Sequence, residues 1–330
     1  VDSQFLVGLT SGAILVAFGA VLTHVLTARR ESRRLEFEKA QESDRVGRQQ
    51  YRLALEYRKV PVSLRDFDLR GRNLKGIDLH DADLQDADLR GADLRAANLE
   101  RADLKGAKVD QTTQIDAKWR LVWEIVNCGA PDRDLRQADL GMANLRGANL
   151  KKADLEDAYL RGALLEGANL EAANLTGAAL AGAKLQGANL GAAIAEGAAM
   201  RNAELQGAIL QGARLLGADL QWANLWKADL RGSVLRSAVL ANTNMAAANL
   251  EGSDLEAANL ERAGLSNANL REAGLAAANL RKAELGGADL TDADVRGAEL
   301  RDAKLDRKTV MPQGWEDAVA SRPTEVHVIG

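Results

Sequence analysis

The sequence predicts an all-β solenoid of square cross-section, preceded by one apolar helix and interrupted by one short amphipathic helix. Three observations lead there. From Leu135 to Leu305 a single five-residue phrase, A-(D/N)-L-x-x, runs without insertion or deletion; of the 34 centres from Leu140 to Leu305, 30 are Leu, and Ala195, Met200, Met245 and Val295 fill the others. Two residues before each centre, 31 of the 34 positions are Ala, and the exceptions Ser233, Thr243 and Ser253 are close to Ala in size. A period of five matches neither the roughly 3.6 of a helix nor the roughly 2.0 of a flat strand, so no straight element keeps every Leu on one side.

Such a chain must turn a corner every five residues. Four corners close one coil of roughly 20 residues, and coils stack through backbone hydrogen bonds. Each Leu points inward beside an Ala, because two inward side chains per wall fit a narrow interior only when one is small. Burial contributes roughly 1.5–3 kcal/mol per Leu against an ordering cost of about 1–2 kcal/mol per residue, so no coil is stable alone and stability belongs to the stack. On these residues, from about Leu64 to Val310, the chain resembles the pentapeptide repeat family. The resemblance implies a right-handed quadrilateral β-helix.

Ahead of the array, Phe5 to Ala28 is a run of 24 residues without Asp, Glu, Lys or Arg. As a helix it extends about 36 Å, enough for a hydrocarbon core of about 30 Å. Only Asp2 is charged before it, whereas a cleaved secretory signal carries positive charge there. Residues 1–28 are therefore expected to form a single-pass anchor in the bilayer. Arg29, Arg30, Arg33 and Arg34 follow, placing the repeats on the cytoplasmic side of a plasma or thylakoid membrane. Gly8 and Gly12 form a G-x-x-x-G, a candidate helix-dimerisation contact, although small residues are common in membrane helices anyway. Residues 29–61 read as a charged juxtamembrane helix or stalk, with ten basic against six acidic residues from Arg29 to Lys59. Pro61 ends it.

The first repeat block, 62–111, opens irregularly: Phe67, Arg72 and Ile77 stand where Ala belongs. Arg72 does not fit a narrow core, so the first coil is expected to be distorted and half open, with Phe67 and Ile77 as a plug. Residues 112–133 break the lattice, since Val109 and Leu135 are 26 positions apart. Here Thr113 reads as a helix cap with Asp116 three residues on, and Gly129 and Pro131 as the stop. Ile115, Trp119, Val122 and Val126 form an apolar stripe joined by Trp123, suited to docking on the parent domain or to a partner. The segment also resembles an insertion associated with cyanobacterial members of the family. The second block, 134–310, follows, and one continuous rod with a side helix is favoured over two rods. In the tail, 311–330, Trp315 together with Val310 is expected to cover the last coil.

The residue before each Leu is usually Asp or Asn, whose side chain ties the corner backbone locally. Where that slot turns apolar, at Tyr159, Leu164, Ile194, Ile209, Val234 and Val239, the side chain is expected on or near the outer wall. Trp222 and Trp226 occupy the outward positions flanking Leu225, with Leu216 within one coil. Together with Trp119 and Trp123, these make Trp222, Trp226, Leu216, Tyr159 and Leu164 the candidate partner-binding residues.

Chemistry finds no foothold. His24, His80 and His327 are far apart, Cys128 is alone, and neither a phosphate-binding loop nor a Cys/His metal spacing occurs. No enzyme, cofactor or metal is expected. The leading expectation is a non-enzymatic, membrane-anchored scaffold that presents its rod to a protein partner. The resemblance also implies a second reading, since some family members mimic DNA and inhibit gyrase. Against it stand the anchor and a surface rich in Arg and Lys, where phosphate mimicry needs a strongly acidic face, so nucleic-acid-related binding is not expected. A third reading is a self-assembling, membrane-tethered homo-oligomer.

Overall fold

The computed structural model describes residues 62–320. The apolar run with Gly8 and Gly12, the stalk and the tail from 321 lie outside the described residues, and among those described no helix is long and apolar enough to cross a membrane.

Every five-residue unit turns for two residues, pairs through one and points its Leu inward. The pairing residue bridges, in parallel, to its counterpart one coil on, as in Asn169 to Asn189 or Asn224 to Asn244, so each wall is a ladder with one rung per coil. The hydrogen bonds repeat as well. Leu180 N–H donates to Ala199 C=O (2.7 Å), Gly182 N–H to Arg201 C=O (2.8 Å), Lys184 N–H back to Ala163 C=O (2.9 Å), and Ala183 N–H closes the corner on Leu180 C=O (2.9 Å). The remaining N–H of the unit goes to the Asp or Asn two residues earlier, as from Thr176 to Asn174 Oδ1 (3.1 Å). That bond is the physical reason for the D/N preference, since it supplies an acceptor the ladder lacks.

Leu and Ala line one continuous core from Leu64 to Leu305. The first coil departs from expectation: Leu64, Leu69 and Leu74 donate to Asp83, Asp88 and Asp93 at 2.7–2.9 Å, so its ladder is regular. Ile77 is buried, Phe67 packs on the core, and Arg72 is half-buried.

Helix α1 spans Ala117–Cys128. Its N-cap is Asp116, with no side-chain capping bond. Thr113, three residues ahead of that N-cap, is not the cap: it is buried and donates its hydroxyl to Leu89 C=O (2.9 Å). The Asp116 carboxylate instead accepts from Ala96 N–H (3.2 Å). Gly129, at φ 73, ends the helix on Ile125 C=O. The buried stripe is Trp119, Val122 and Ile125; Val126 is only half-buried, so the face is turned by one residue from the sequence reading. The two blocks form one rod. Arg101 N–H reaches past the helix to Met142 C=O (2.7 Å), and Asn144 Nδ2 donates to Arg101 C=O (3.3 Å) across 43 positions. Helix α2, Trp315–Ala318, packs Trp315 and Ala318 against the far end of the core.

Candidate functional site

A lattice this regular makes its own exceptions conspicuous, and four of the seven at inward positions of the second block fall close together. Between 222 and 254 the inward positions include Ser233, Thr243, Met245 and Ser253, all buried, and the outward positions include Trp222 and Trp226. The coil carrying both tryptophans is therefore the candidate site.

Trp222 and Trp226 stand at the two edges of the wall that runs through Glu204, Asn224 and Asn244. They are 59% and 44% exposed. Trp222 sits in the left-handed region at φ 61, the sole aromatic residue among the described positions with that backbone. A Cβ there meets the following carbonyl, at a cost of about 1 kcal/mol or more relative to Gly, which fills this corner in many other coils. Its ladder bond to Ala241 C=O is stretched to 3.2 Å, and that of Lys227 to Ala246 C=O to 3.1 Å. Lys227 Nζ lies over the Trp226 ring, 4.4 Å from its centroid, a cation–π contact. Between the two rings, Asn224 Oδ1 accepts from Trp226 N–H (3.1 Å) and from Asn244 Nδ2 (3.2 Å). From 221 to 227 and from 241 to 247 the only ionisable side chain is Lys227. Over these two coils the wall is aromatic, rich in amides and carries the single charge of Lys227, with Arg201 and Glu204 on the coil before.

The other candidates are scattered. Leu216, 43% exposed, stands at a different corner: its C=O accepts from Gly197, one corner before Trp222 and diagonally across the coil from Trp226. Tyr159, 58% exposed, lies on another wall beside an open depression it shares with Lys118, Asp139, Gly141, Met142 and Arg161. Leu164 does not face out: it is 4% exposed, beside Asn144, which the junction with the first block buries. Trp119 is buried and carries Lys118 over its ring at 4.9 Å, while Trp123 donates Nε1–H to Ala107 C=O (2.6 Å). Both α1 tryptophans thus pack down on the rod.

Sequence reading missed the Asp–Leu–Arg clamps. In Asp68–Arg70, Asp93–Arg95, Asp134–Arg136 and Asp294–Arg296 the guanidinium donates through Nε and Nη2 to both carboxylate oxygens at 2.6–3.0 Å. The side-chain hydrogen bond from Arg holds Asp68, Asp93 and Asp134 at about 2. The signal was present as D-L-R, where i and i+2 share one face of a strand-like segment. These acids are committed to the corner backbone and to Arg, and among the described residues no group of His, Cys, Asp and Glu is arranged to hold a metal.

The fold and its surface define a β-helical repeat rod with an exposed pair of tryptophans on one wall. A family model described as Pentapeptide repeats matches in 8 copies, over residues 73–111 and, in overlapping stretches, 134–307. The chain belongs to the pentapeptide repeat family. It is similar to HetL, a pentapeptide repeat protein involved in heterocyst differentiation regulation from the cyanobacterium Nostoc sp. strain PCC 7120, at 34% identity over 72% of this chain and 88% of that one, with a TM-score of 0.32. QnrB1, a plasmid-mediated fluoroquinolone resistance protein, aligns at 21% identity over 54% and 89% of the two chains, TM-score 0.37. A pentapeptide repeat protein of the Arabidopsis thaliana thylakoid lumen aligns at 27% identity over 39% and 69%, TM-score 0.18. No curated protein matches the chain.

Proposed function

We propose that the protein is a non-enzymatic interaction module that docks a protein partner on the Trp222–Trp226 wall and is held at a membrane by residues 5–28. The observation that carries the reading is Trp222 itself: a bulky ring in left-handed backbone, exposed where Gly would be more stable. Folding does not account for it, and partner surfaces favour exposed tryptophan with little charge around it. The anchor rests on the apolar run and the arginines behind it.

The test pairs photo-crosslinking from position 224 in native membranes with capture by wild type and by Trp222→Gly/Trp226→Ala. A discrete crosslinked protein that is lost in the double variant supports the reading; an identical capture profile defeats it. Attachment is checked separately: a carbonate wash should leave the full-length chain in the membrane fraction, and deletion of residues 1–28 should release it. Gyrase inhibition by residues 60–330 in a supercoiling assay would replace this proposal by the DNA-mimic reading.

A further inference from the structure

Both repeat blocks end on the same device, and its two copies differ in the fate of one N–H. At the end of the first block, Asp110 Oδ1 accepts from the N–H groups of Thr112 (2.9 Å), Thr113 (3.0 Å) and Gly91 (3.3 Å), while the Thr113 hydroxyl donates to Leu89 C=O (2.9 Å). At the end of the second, Asp306 Oδ1 accepts from the N–H groups of Lys308 (2.9 Å), Thr309 (3.0 Å) and Gly287 (2.8 Å), while the Thr309 hydroxyl donates to Leu285 C=O (2.9 Å). Every partner in the second set lies 196 positions beyond its counterpart, as Asp306 does beyond Asp110. Five does not divide that spacing, so the lattice alone does not generate the match. The packing follows the same offset: Ile115 with Met311, and Trp119 with Trp315, all lie against the core. Each copy also contains the one-residue slip of register, Asp93 to Gln114 and Asp289 to Val310.

The copies part at the next corner. In the first, Arg101 N–H bypasses the 12-residue α1 and bonds Met142 C=O of the following coil. Its counterpart, Gly297 N–H, bonds Ala318 C=O (2.7 Å) in the four-residue α2, and Ala320 N–H returns to Ala298 C=O (2.9 Å). The long helix leaves the corner open to the next coil; the short one occupies it.

We infer that D-x-x-T-x-(I/M)-x-x-x-W is a coil-ending module used twice, as a splice at 110–128 and as a stop at 306–320, and that the stop keeps the C-terminal edge of the rod from pairing with a second copy of this chain. An uncovered coil edge presents unpaired backbone groups, and a rod of identical coils is the partner that matches their spacing best.

The test uses the full-length chain in a non-ionic detergent, with mass followed by sedimentation velocity over a concentration series. Asp306→Ala/Thr309→Val opens the stop, and Asp110→Ala/Thr113→Val opens the splice. The stop variant is expected to lose amide-exchange protection at Gly297 and to reach at least double the wild-type mass as concentration rises. The splice variant should melt at lower temperature yet keep the wild-type mass, because Arg101 still pairs with Met142. Thr309→Ser, which retains the hydroxyl, should behave as wild type. Should circular dichroism show the splice variant unfolded, the stop variant against Thr309→Ser decides alone. An unchanged mass for the stop variant, or equal self-association of two folded variants, overturns the inference.

Discussion

The coils from 161 to 190 and those from 221 to 255 share one ladder and differ in what the ladder carries. In the first stretch the left-handed corners are Gly162, Gly167, Ala172, Gly177, Gly182 and Gly187, and every inward pair is Leu with Ala. In the second the corners include Trp222, Lys227, Ser237 and Asn242, and the core admits three hydroxyls and Met245. The ladder bonds lengthen only slightly at Trp222 and Lys227. A stack of near-identical coils therefore has stability to spare locally, since each coil leans on two neighbours, and that surplus lets one wall carry residues the fold itself does not favour.

The largest way to break the contrast is in the core. Leu180→Ala should cost about 2–5 kcal/mol in chemical denaturation, because the packed tube leaves a cavity that rigid walls do not close. Met245→Leu, restoring the common residue, should change stability by less than about 1.5 kcal/mol. Equal losses at the two sites would mean that the second stretch is packed as tightly as the first.

Next comes the corner. Trp222→Gly should raise stability by about 1 kcal/mol while abolishing partner capture, which separates what the ring does for binding from what it does to folding. A variant that is both less stable and still captured would make Trp222 a structural residue.

The hydroxyls sharpen the comparison further. Thr243 and Ser253 donate to Leu240 and Leu250 C=O at 2.7 and 2.6 Å, whereas Ser233 Oγ, fully buried, has no hydrogen-bond partner. Ser233→Ala should therefore stabilise by about 1 kcal/mol and Ser253→Ala should not, read as a difference in melting temperature.

The smallest effect is acid sensitivity. Asp68, Asp93 and Asp134 are held at about 2, below the ordinary carboxylate value, by their Arg clamps. Their contribution is present above the unfolded value near 4 and is lost as pH falls toward about 2. Being surface pairs, they contribute little each. Hydrogen exchange at pH 5 and pH 2.5 should show the first block, which holds Asp68 and Asp93, losing protection ahead of the 161–190 coils, where no such clamp forms. Uniform loss along the rod would show that the clamps do not matter.

The period, the inward Leu and Ala, the corner role of Asp and Asn and the existence of α1 were all legible in the sequence, because each is a local pattern with one packing solution. Leu164 was not: its slot usually faces out, and only the junction beside Asn144 buries its neighbourhood. Thr113 reads as a cap from its neighbours, yet it answers to Leu89, 24 positions earlier. Leu216 is near the tryptophans along the chain but stands at another corner of the square, since six residues carry the backbone past a corner.

What the sequence determined by itself is the tube: at a period of five, burying Leu offsets the ordering entropy only if the chain turns every five residues and stacks. What the tertiary structure alone decided is the bond from Arg101 to Met142 that makes two blocks one rod, and the bond from Gly297 to Ala318 that closes it. Those depend on which coil lies against which, and a repeat whose units are nearly interchangeable carries no local mark of its neighbours.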